Sequence, residues 1–255
     1  MKELLADFHI HSLLSPCAEV EMTPHHIILR AAQYGIGAVA ITDHNASGNI
    51  PAALEAGAKY GIVVLPGMEV ECAEEAHIVV LFDTMEQMDA WQQIIDASRS
   101  GLKNVPEKFG GQFVVDAEDN FIREEEKMLL GSCRLTAAEV VDKCHALGGI
   151  CWAAHIDKRA YSLLTQLGFI GSSLQIDGAE ISRNSLAELS NKKLKPLVDN
   201  KPYLTNSDAH MIDDFIHGPK NLLRVEQVNT TEIKKALQNI DGRSLQPGAF
   251  VTEKV

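Results

Sequence analysis

Six of the ten histidines in this 255-residue chain sit where an apolar stretch begins or ends, several with a carboxylate close by. The stretches read Asp7-Phe8-His9-Ile10-His11, Thr42-Asp43-His44, Gly67-Met68-Glu69, Ala76-His77-Ile78, Ala154-His155 and Ser207-Asp208-Ala209-His210. Imidazole and carboxylate are ligands that zinc, manganese and iron accept readily. His9 and His11 are two apart in a strand-like run, so both point to one face as a ready pair of donors. Asp208 and His210 repeat that spacing. Asp7, on the face of His9 and His11, could orient an imidazole from behind. Glu69 follows Pro66-Gly67, read as a turn that exposes it, and its two oxygens could bridge two metals; Glu71 is its rival by alternation. Simpler readings compete for Asp43, as a loop carboxylate capping the next turn, and for His77, as a hydrogen-bonded strand-edge histidine. His155 ends Cys151-Trp152-Ala153-Ala154, too apolar a run for a casual histidine. Donors scattered this widely cannot form a local finger. They meet only if the fold brings many strand ends to a common rim.

The elements needed for such a rim are visible. Leu4–His9, Ala38–Thr42, Ile62–Leu65, His77–Phe82, Ile150–Ala154, Ala179–Ser182 and Tyr203–Asn206 read as strands. Thr23-Pro24 starts a helix that Gly35 can end. Further helices are expected over Ala52–Lys59, closed by Gly61, and over Met85–Ser98. Thr136-Ala137-Ala138-Glu139 has the capping-box pattern before a helix ended by Gly148-Gly149. Asn229 to Glu232 caps a last helix through Leu237. Repeated strand-then-helix order implies parallel strands, and seven or so units imply a closed or nearly closed α/β barrel with its chemistry where strands end. Residues 104–132 break the rhythm. They are too charged and irregular for a barrel unit and read as an inserted flap, a solvated excursion on the plainer view. The chain is expected to be one domain over 1–255, with 220–255 as a C-terminal helix and tail.

Composition narrows the class. The formal charge of −12 disfavours long nucleic acid, which binds through lysine and arginine, although divalent ions would reverse the local field at their site. Met1–Ala6 run into the first histidine motif with no leader pattern, and no apolar run is long enough to span a membrane. The five cysteines form no C-x-x-C pair and suggest no disulfide framework. A cytoplasmic chain that acts neither on membrane nor on long nucleic acid is the resulting expectation. Oligomeric state stays open.

In type and order, the histidine and carboxylate motifs from Asp7 to about His210 resemble the PHP family, the polymerase-and-histidinol-phosphatase superfamily. The resemblance implies a distorted (β/α)7 barrel holding two or three divalent metals, zinc, manganese or iron, at the strand ends, and hydrolysis of phosphate esters. Carried over by motif, His9, His11, Glu69 and Asp208 would hold a first metal, and Glu69 would bridge to a second held by His77 and His155. His44 and His210 would hold a third. Relatives place an Asp or His shortly after the His-x-His pair; here Cys17 falls nearest to that position, with Glu19 and Glu21 as alternatives and a free thiol as the competing reading. A thiolate would favour zinc or iron over manganese.

Such a site needs no side-chain nucleophile: a metal-bridged hydroxide would attack phosphorus in line. Fixed cations for the substrate phosphate are sought in Arg134, Lys158, Arg159 and Arg183, and His217 could close over the mouth. His25, His26 and His145 read as structural or exposed. The leading expectation is hydrolysis of a small phosphorylated substrate, such as a nucleotide, a sugar phosphate or a histidinol-phosphate-like ester. A PHP-type nuclease or exonuclease, and a non-catalytic metal-binding regulatory protein, are the alternatives.

Overall fold

The computed structural model describes residues 1–188 and 195–251. Strand β1 (Lys2–Ile10) passes from solvent at its start to full burial over its last five residues. Thr23 then accepts the His26 N–H, Pro24 takes the first helical position, and α1 (Pro24–Tyr34) ends on Gly35 at φ 72°, a left-handed position that glycine adopts without penalty. β2 (Ile36–Ile41), α2 (Ile50–Tyr60) and β3 (Val63–Glu71) continue the rhythm. A short loop, with no helix, leads on to β4 (His77–Leu81) and then α3 (Met85–Ser98), which a capping box of Thr84 and Gln87 begins. The insertion holds α4 (Pro106–Phe109) and a hairpin of β5 (Phe113–Val115) and β6 (Phe121–Glu124). The expected Thr136–Glu139 capping box opens α5 (Ala137–Ala146). β7 (Ile150–Ala153), α6 (Leu163–Leu167), β8 (Gly178–Glu180), β9 (Tyr203–Leu204), α7 (Ile212–His217), β10 (Lys220–Val225), α8 (Thr230–Leu237) and β11 (Ser244–Ala249) follow among the described residues.

Among the described residues, nine strands form one sheet in the order β11-β10-β1-β2-β3-β4-β7-β8-β9. Its two outer strands approach each other, and the Gly248 N–H in β11 donates to Thr205 Oγ1 just after β9 at 2.8 Å. The sheet is therefore a nearly closed barrel of the distorted kind expected. It is not wholly parallel. β1-β2-β3 and β7-β8-β9 are parallel, but β4 runs antiparallel to β3 and β7, and β10 antiparallel to β1 and β11. The loop from β3 to β4 is too short to hold the crossover that parallel pairing requires.

Two local readings are corrected. Pro66-Gly67 is not a turn: both lie inside β3, with Pro66 opposite Ile41 and Gly67 opposite Leu81. A Cβ on Gly67 would fall 2.7 Å from side-chain atoms of both Leu81 and Thr42, so glycine there permits the close approach of three chain segments. Glu69 is consequently buried inside the strand, 1% exposed. The segment 220–255 is more than helix and tail, since β10 and β11 extend the sheet beyond β1.

One core cluster takes Phe8, Ala40, Leu65, Val79, Trp152 and Leu204 from six strands, together with Ile233 and Leu237 of α8. These residues fill the barrel, and α8 covers one end. Asp83, just past the end of β4, accepts the Thr230 N–H and hydroxyl at 2.7 and 2.8 Å. This ties the start of α8 to the end of β4, whereas His77 lies at the start of β4, so the histidines gather at the other end.

Candidate metal centre

Short backbone links lay distant motifs side by side. The Asp208 N–H donates to His9 O at 3.0 Å and the His11 N–H to Ala209 O at 2.9 Å, so 208–210 runs beside the end of β1. The Glu69 N–H contacts the carbonyls of Thr42 and Asp43, and the Asn45 N–H donates to Glu69 O, which seats His44 next to Glu69. The His77 N–H donates to Tyr161 O, and the Ala154 N–H to His77 O; His155 follows at once.

Glu69 is the hub. Its Oε1 lies 3.1 Å from His9 Nε2, 2.9 Å from His77 Nδ1 and 3.2 Å from His155 Nε2. Its Oε2 lies 3.3 Å from His11 Nε2 and 3.0 Å from His44 Nδ1. Asp208 Oδ1 is 3.4 Å from both His9 Nε2 and His11 Nε2. Three groupings of potential ligands lie within 4.8 Å: His9, His11 and Asp208; His44, Glu69 and His77; His11, His44 and His210. All eight histidine and carboxylate positions carried over by motif meet here, His155 through its 3.2 Å approach to Glu69 and not as a member of the three groupings. Cys17 stands on the pocket wall but belongs to none of these groupings among the described residues. The third grouping draws its third member from His11. Burial pushes the Cys17 thiol up to about 12, with the Glu69 charge adding to it.

Hydrogen bonds behind these donor atoms aim them. His9 Nδ1 meets both oxygens of Glu180 at 3.0 and 3.1 Å. Glu180 also accepts from Trp152 Nε1 at 3.2 Å and Asn206 Nδ2 at 2.7 Å. Ser15 Oγ donates to Asp43 Oδ1 at 2.7 Å and so accepts the Nδ1 proton of His11 at 3.0 Å. Both rings thus hold a proton on Nδ1 and turn Nε2 inward, 3.3 Å from each other. Lone pairs so close to two carboxylates repel unless positive charge lies among them. Without metal, protons supply it. Burial opposes a charge on His9, but Glu180, Glu69 and Asp208 raise its pKa well above the usual range. Burial likewise opposes ionisation of Glu69, yet His77, His9 and His44 hold it well below the ordinary carboxylate range. Both ring nitrogens of His77 and Nδ1 of His155 are buried and make no well-aligned hydrogen bond among the described residues, although His77 Nδ1 lies 2.9 Å from Glu69 Oε1. Separations of 2.9–3.4 Å match ligand edges around an ion bound at about 2.0–2.2 Å. The residues fit divalent metals.

Several expected roles fall elsewhere. Asp7 does not orient an imidazole; its Oδ2 pairs with Lys220 Nζ at 3.1 Å, both side chains being fully buried. The residue that does the orienting is Glu180, which the sequence marks only as part of a strand, an acid set between Ala179 and Ile181. Asp43 acts as the capping carboxylate, but for the preceding segment, through Ser12 and Ser15. Of the expected phosphate cations, Lys158 lines the pocket and contacts Asp208. Arg134 donates to Ala97 O at the end of α3, away from the mouth. Arg159, Arg183 and His217 are exposed and do not line the pocket. His25 and His26 are hydrogen-bonded around α1, and His145 pairs with Asp177, as the structural reading expected. The insertion is no mere excursion: Leu129 and Gln112 are buried in it, Gly131 N and Ser132 Oγ bind the Glu71 carboxylate, and Leu130 and Gly131 line the pocket. Glu71 is thereby a brace for the flap.

The pocket encloses about 410 Å³ beside the cluster, between the flap and the segment after β7. Residues 7–163 match the PHP domain model. The chain belongs to the PHP family. Its curated relatives include the DNA polymerase III PolC-type of Caldanaerobacter subterraneus, 25% identical over 223 residues, 78% of this chain but 16% of the polymerase. Among solved structures, Endonuclease Q of Pyrococcus furiosus matches 96% of this PHP chain at a TM-score of 0.70 and 22% identity, over 58% of its own length. A two-domain Bacteroides vulgatus protein containing a predicted PHP-like metal-dependent phosphoesterase matches 98% of this chain and 65% of its own, at TM-score 0.53 and 16% identity.

One expectation is overturned by these likenesses. Net charge disfavours long nucleic acid, yet an Endonuclease Q complex of the same fold, TM-score 0.70, is solved with a 27-mer duplex carrying an abasic lesion at its active site. A charge summed over a whole surface does not report the field at one mouth, where bound cations dominate. Among the described residues, no helix is long and apolar enough to cross a membrane.

Proposed function

We propose that this PHP domain is a metal-dependent phosphoesterase, with His9, His11, Glu69 and Asp208 holding one divalent ion, Glu69 reaching to a second held by His77 and His155, and His44, His210 and His11 available to a third. The observation that carries the reading is the ring of five imidazoles around the single carboxylate of Glu69. Ions held there would acidify a water and neutralise charge gathering on the phosphoryl oxygens. The chain's own residues do the rest. Glu180 and Ser15 keep the Nε2 atoms of His9 and His11 aimed inward. Lys158, beside Asp208 at the pocket wall, offers a cation to a phosphoryl oxygen; desolvation opposes its charge, but the Asp208 carboxylate outweighs this and raises its pKa. A volume of about 410 Å³ admits a phosphate with a group up to nucleotide size. The proposal includes a cytoplasmic setting, which the five free cysteines support.

A second reading, a nuclease that takes one nucleotide of a strand into the same pocket, is favoured by the likeness to Endonuclease Q and to the polymerase. The test is a cleavage panel on metal-stripped protein reloaded with Mn, Fe or Zn: bis-p-nitrophenyl phosphate, mononucleotides, sugar phosphates, and intact and abasic duplexes. Metal-dependent cleavage of any ester upholds the phosphoesterase, and preference for duplex over monoester selects the nuclease. Inertness of every reloaded form toward the whole panel rejects both.

A further inference from the structure

Tyr161 is not used by the cluster, yet the fold invests in its position. Its backbone has φ 57°, in the left-handed region that costs energy for a bulky residue. Its carbonyl accepts the His77 N–H at 2.8 Å, and its ring stacks on the His77 ring with centroids 4.7 Å apart and planes 17° apart. One face of the ring is thus occupied. The residue is still 49% exposed, and it lines the pocket with Leu130, Gly131 and Ala160. An apolar lip therefore adjoins a strongly polar floor. A bare inorganic or sugar phosphate has no use for such a lip, whereas a phosphate bearing a flat ring does.

We infer that Tyr161, with Leu130 of the flap lining the same pocket, forms a subsite for a planar heteroaromatic ring joined to the phosphate through a sugar, in other words a nucleotide, free or within a strand. The inference rests on the phosphoesterase reading for the location of the phosphate, but the ring subsite is a claim about binding. Stacking on one aromatic face is tolerant of base identity and favours the ring-bearing ligand by roughly tenfold to a hundredfold.

The experiment is calorimetric titration of manganese-loaded protein with the methylene phosphonate analogues of adenosine 5′-phosphate and ribose 5-phosphate, which bind without being cleaved. Wild type should bind the adenosine analogue at least about tenfold tighter. Tyr161→Phe should keep that preference, and Tyr161→Ala, compared at equal metal content, should bring the two affinities within roughly threefold. A wild type without the preference, or binding neither analogue, overturns the subsite, as does a preference that survives Tyr161→Ala. A loss of affinity for both analogues alike would assign Tyr161 to His77 alone and also overturns it. Cleavage of bis-p-nitrophenyl phosphate, measured on the same samples, keeps the two claims apart: cleavage without ring preference sinks only the subsite, and ring preference without any cleavage sinks only the phosphoesterase. A short 5′-phosphorylated oligothymidylate, titrated in calcium-loaded protein against the thymidine phosphonate, separates a base in a strand from a free nucleotide. Tyr161-dependent binding of either supports the subsite, and dependence in neither counts against it.

Discussion

Two clusters in this chain have nearly the same ingredients and opposite characters. At one end of the barrel, imidazoles and carboxylates crowd around Glu69. Toward the other, His145, Cys151 and Asp177 also lie within 4.8 Å of one another. In the second cluster every charge has its complement. His145 Nε2 lies 2.8 Å from Asp177 Oδ2, the Cys151 N–H donates to the same oxygen at 3.0 Å, and Lys234 Nζ is 2.8 Å from Asp177 Oδ1. The hydrogen bond to Asp177 lifts His145 to about 10. In the first cluster, imidazole lone pairs confront the Glu69 and Asp208 carboxylates, and buried ring nitrogens make no well-aligned hydrogen bond among the described residues. Ligand-type residues in proximity do not make a candidate metal site; a buried carboxylate neutralised by ring protons that an ion could replace does.

The contrast can be broken at its strongest point. His9→Ala with His11→Ala should abolish the first ion and lower cleavage by at least about a thousandfold, the scale of losing the groups that organise such catalysis. Metal analysis and rates on protein that still shows wild-type circular dichroism would check it, and retained turnover would reject the assignment. Next in size, Glu180→Gln leaves His9 in place but loosens its orientation. A drop of roughly 10–100-fold in metal affinity is expected, measured by competition with a chelator. Cys17→Ser should remove at most one ion per chain, and none if the cysteine is the free thiol that its position outside the groupings favours.

The smallest effect belongs to the satisfied cluster. His145 titrates higher in the folded chain than in an unfolded one, so its pairing stabilises fully below about pH 6.5 and fades as pH rises toward 10. Relative to wild type, His145→Gln should lower Tm by about 2–4 °C near pH 6, with the gap closing by pH 10. A gap that widened with pH would show that the imidazolium is not what Asp177 holds.

Much of this was legible in the chain. Same-face spacing in His9/His11 and Asp208/His210 survived folding because strand geometry enforces it. Caps at Thr23, Thr136 and Asn229 lie where side chains satisfy helix ends locally. What escaped depended on partners far away in sequence. Glu180 orients a ring 171 residues earlier, and Asp7 finds Lys220 across the sheet. Pro66-Gly67 carries a turn signature that three adjoining strands override. β10 and β11 lack a repeating apolar face strong enough to announce a strand.

His155 at φ 27° and Asp208 at φ 51° hold side chains that the proposed metal site uses on backbone that glycine would occupy more comfortably. Replacing either by glycine should relieve the main chain while emptying a ligand position. A library screened for thermal endurance alone would drift toward glycine at 155 and 208 and come back hardier and inert.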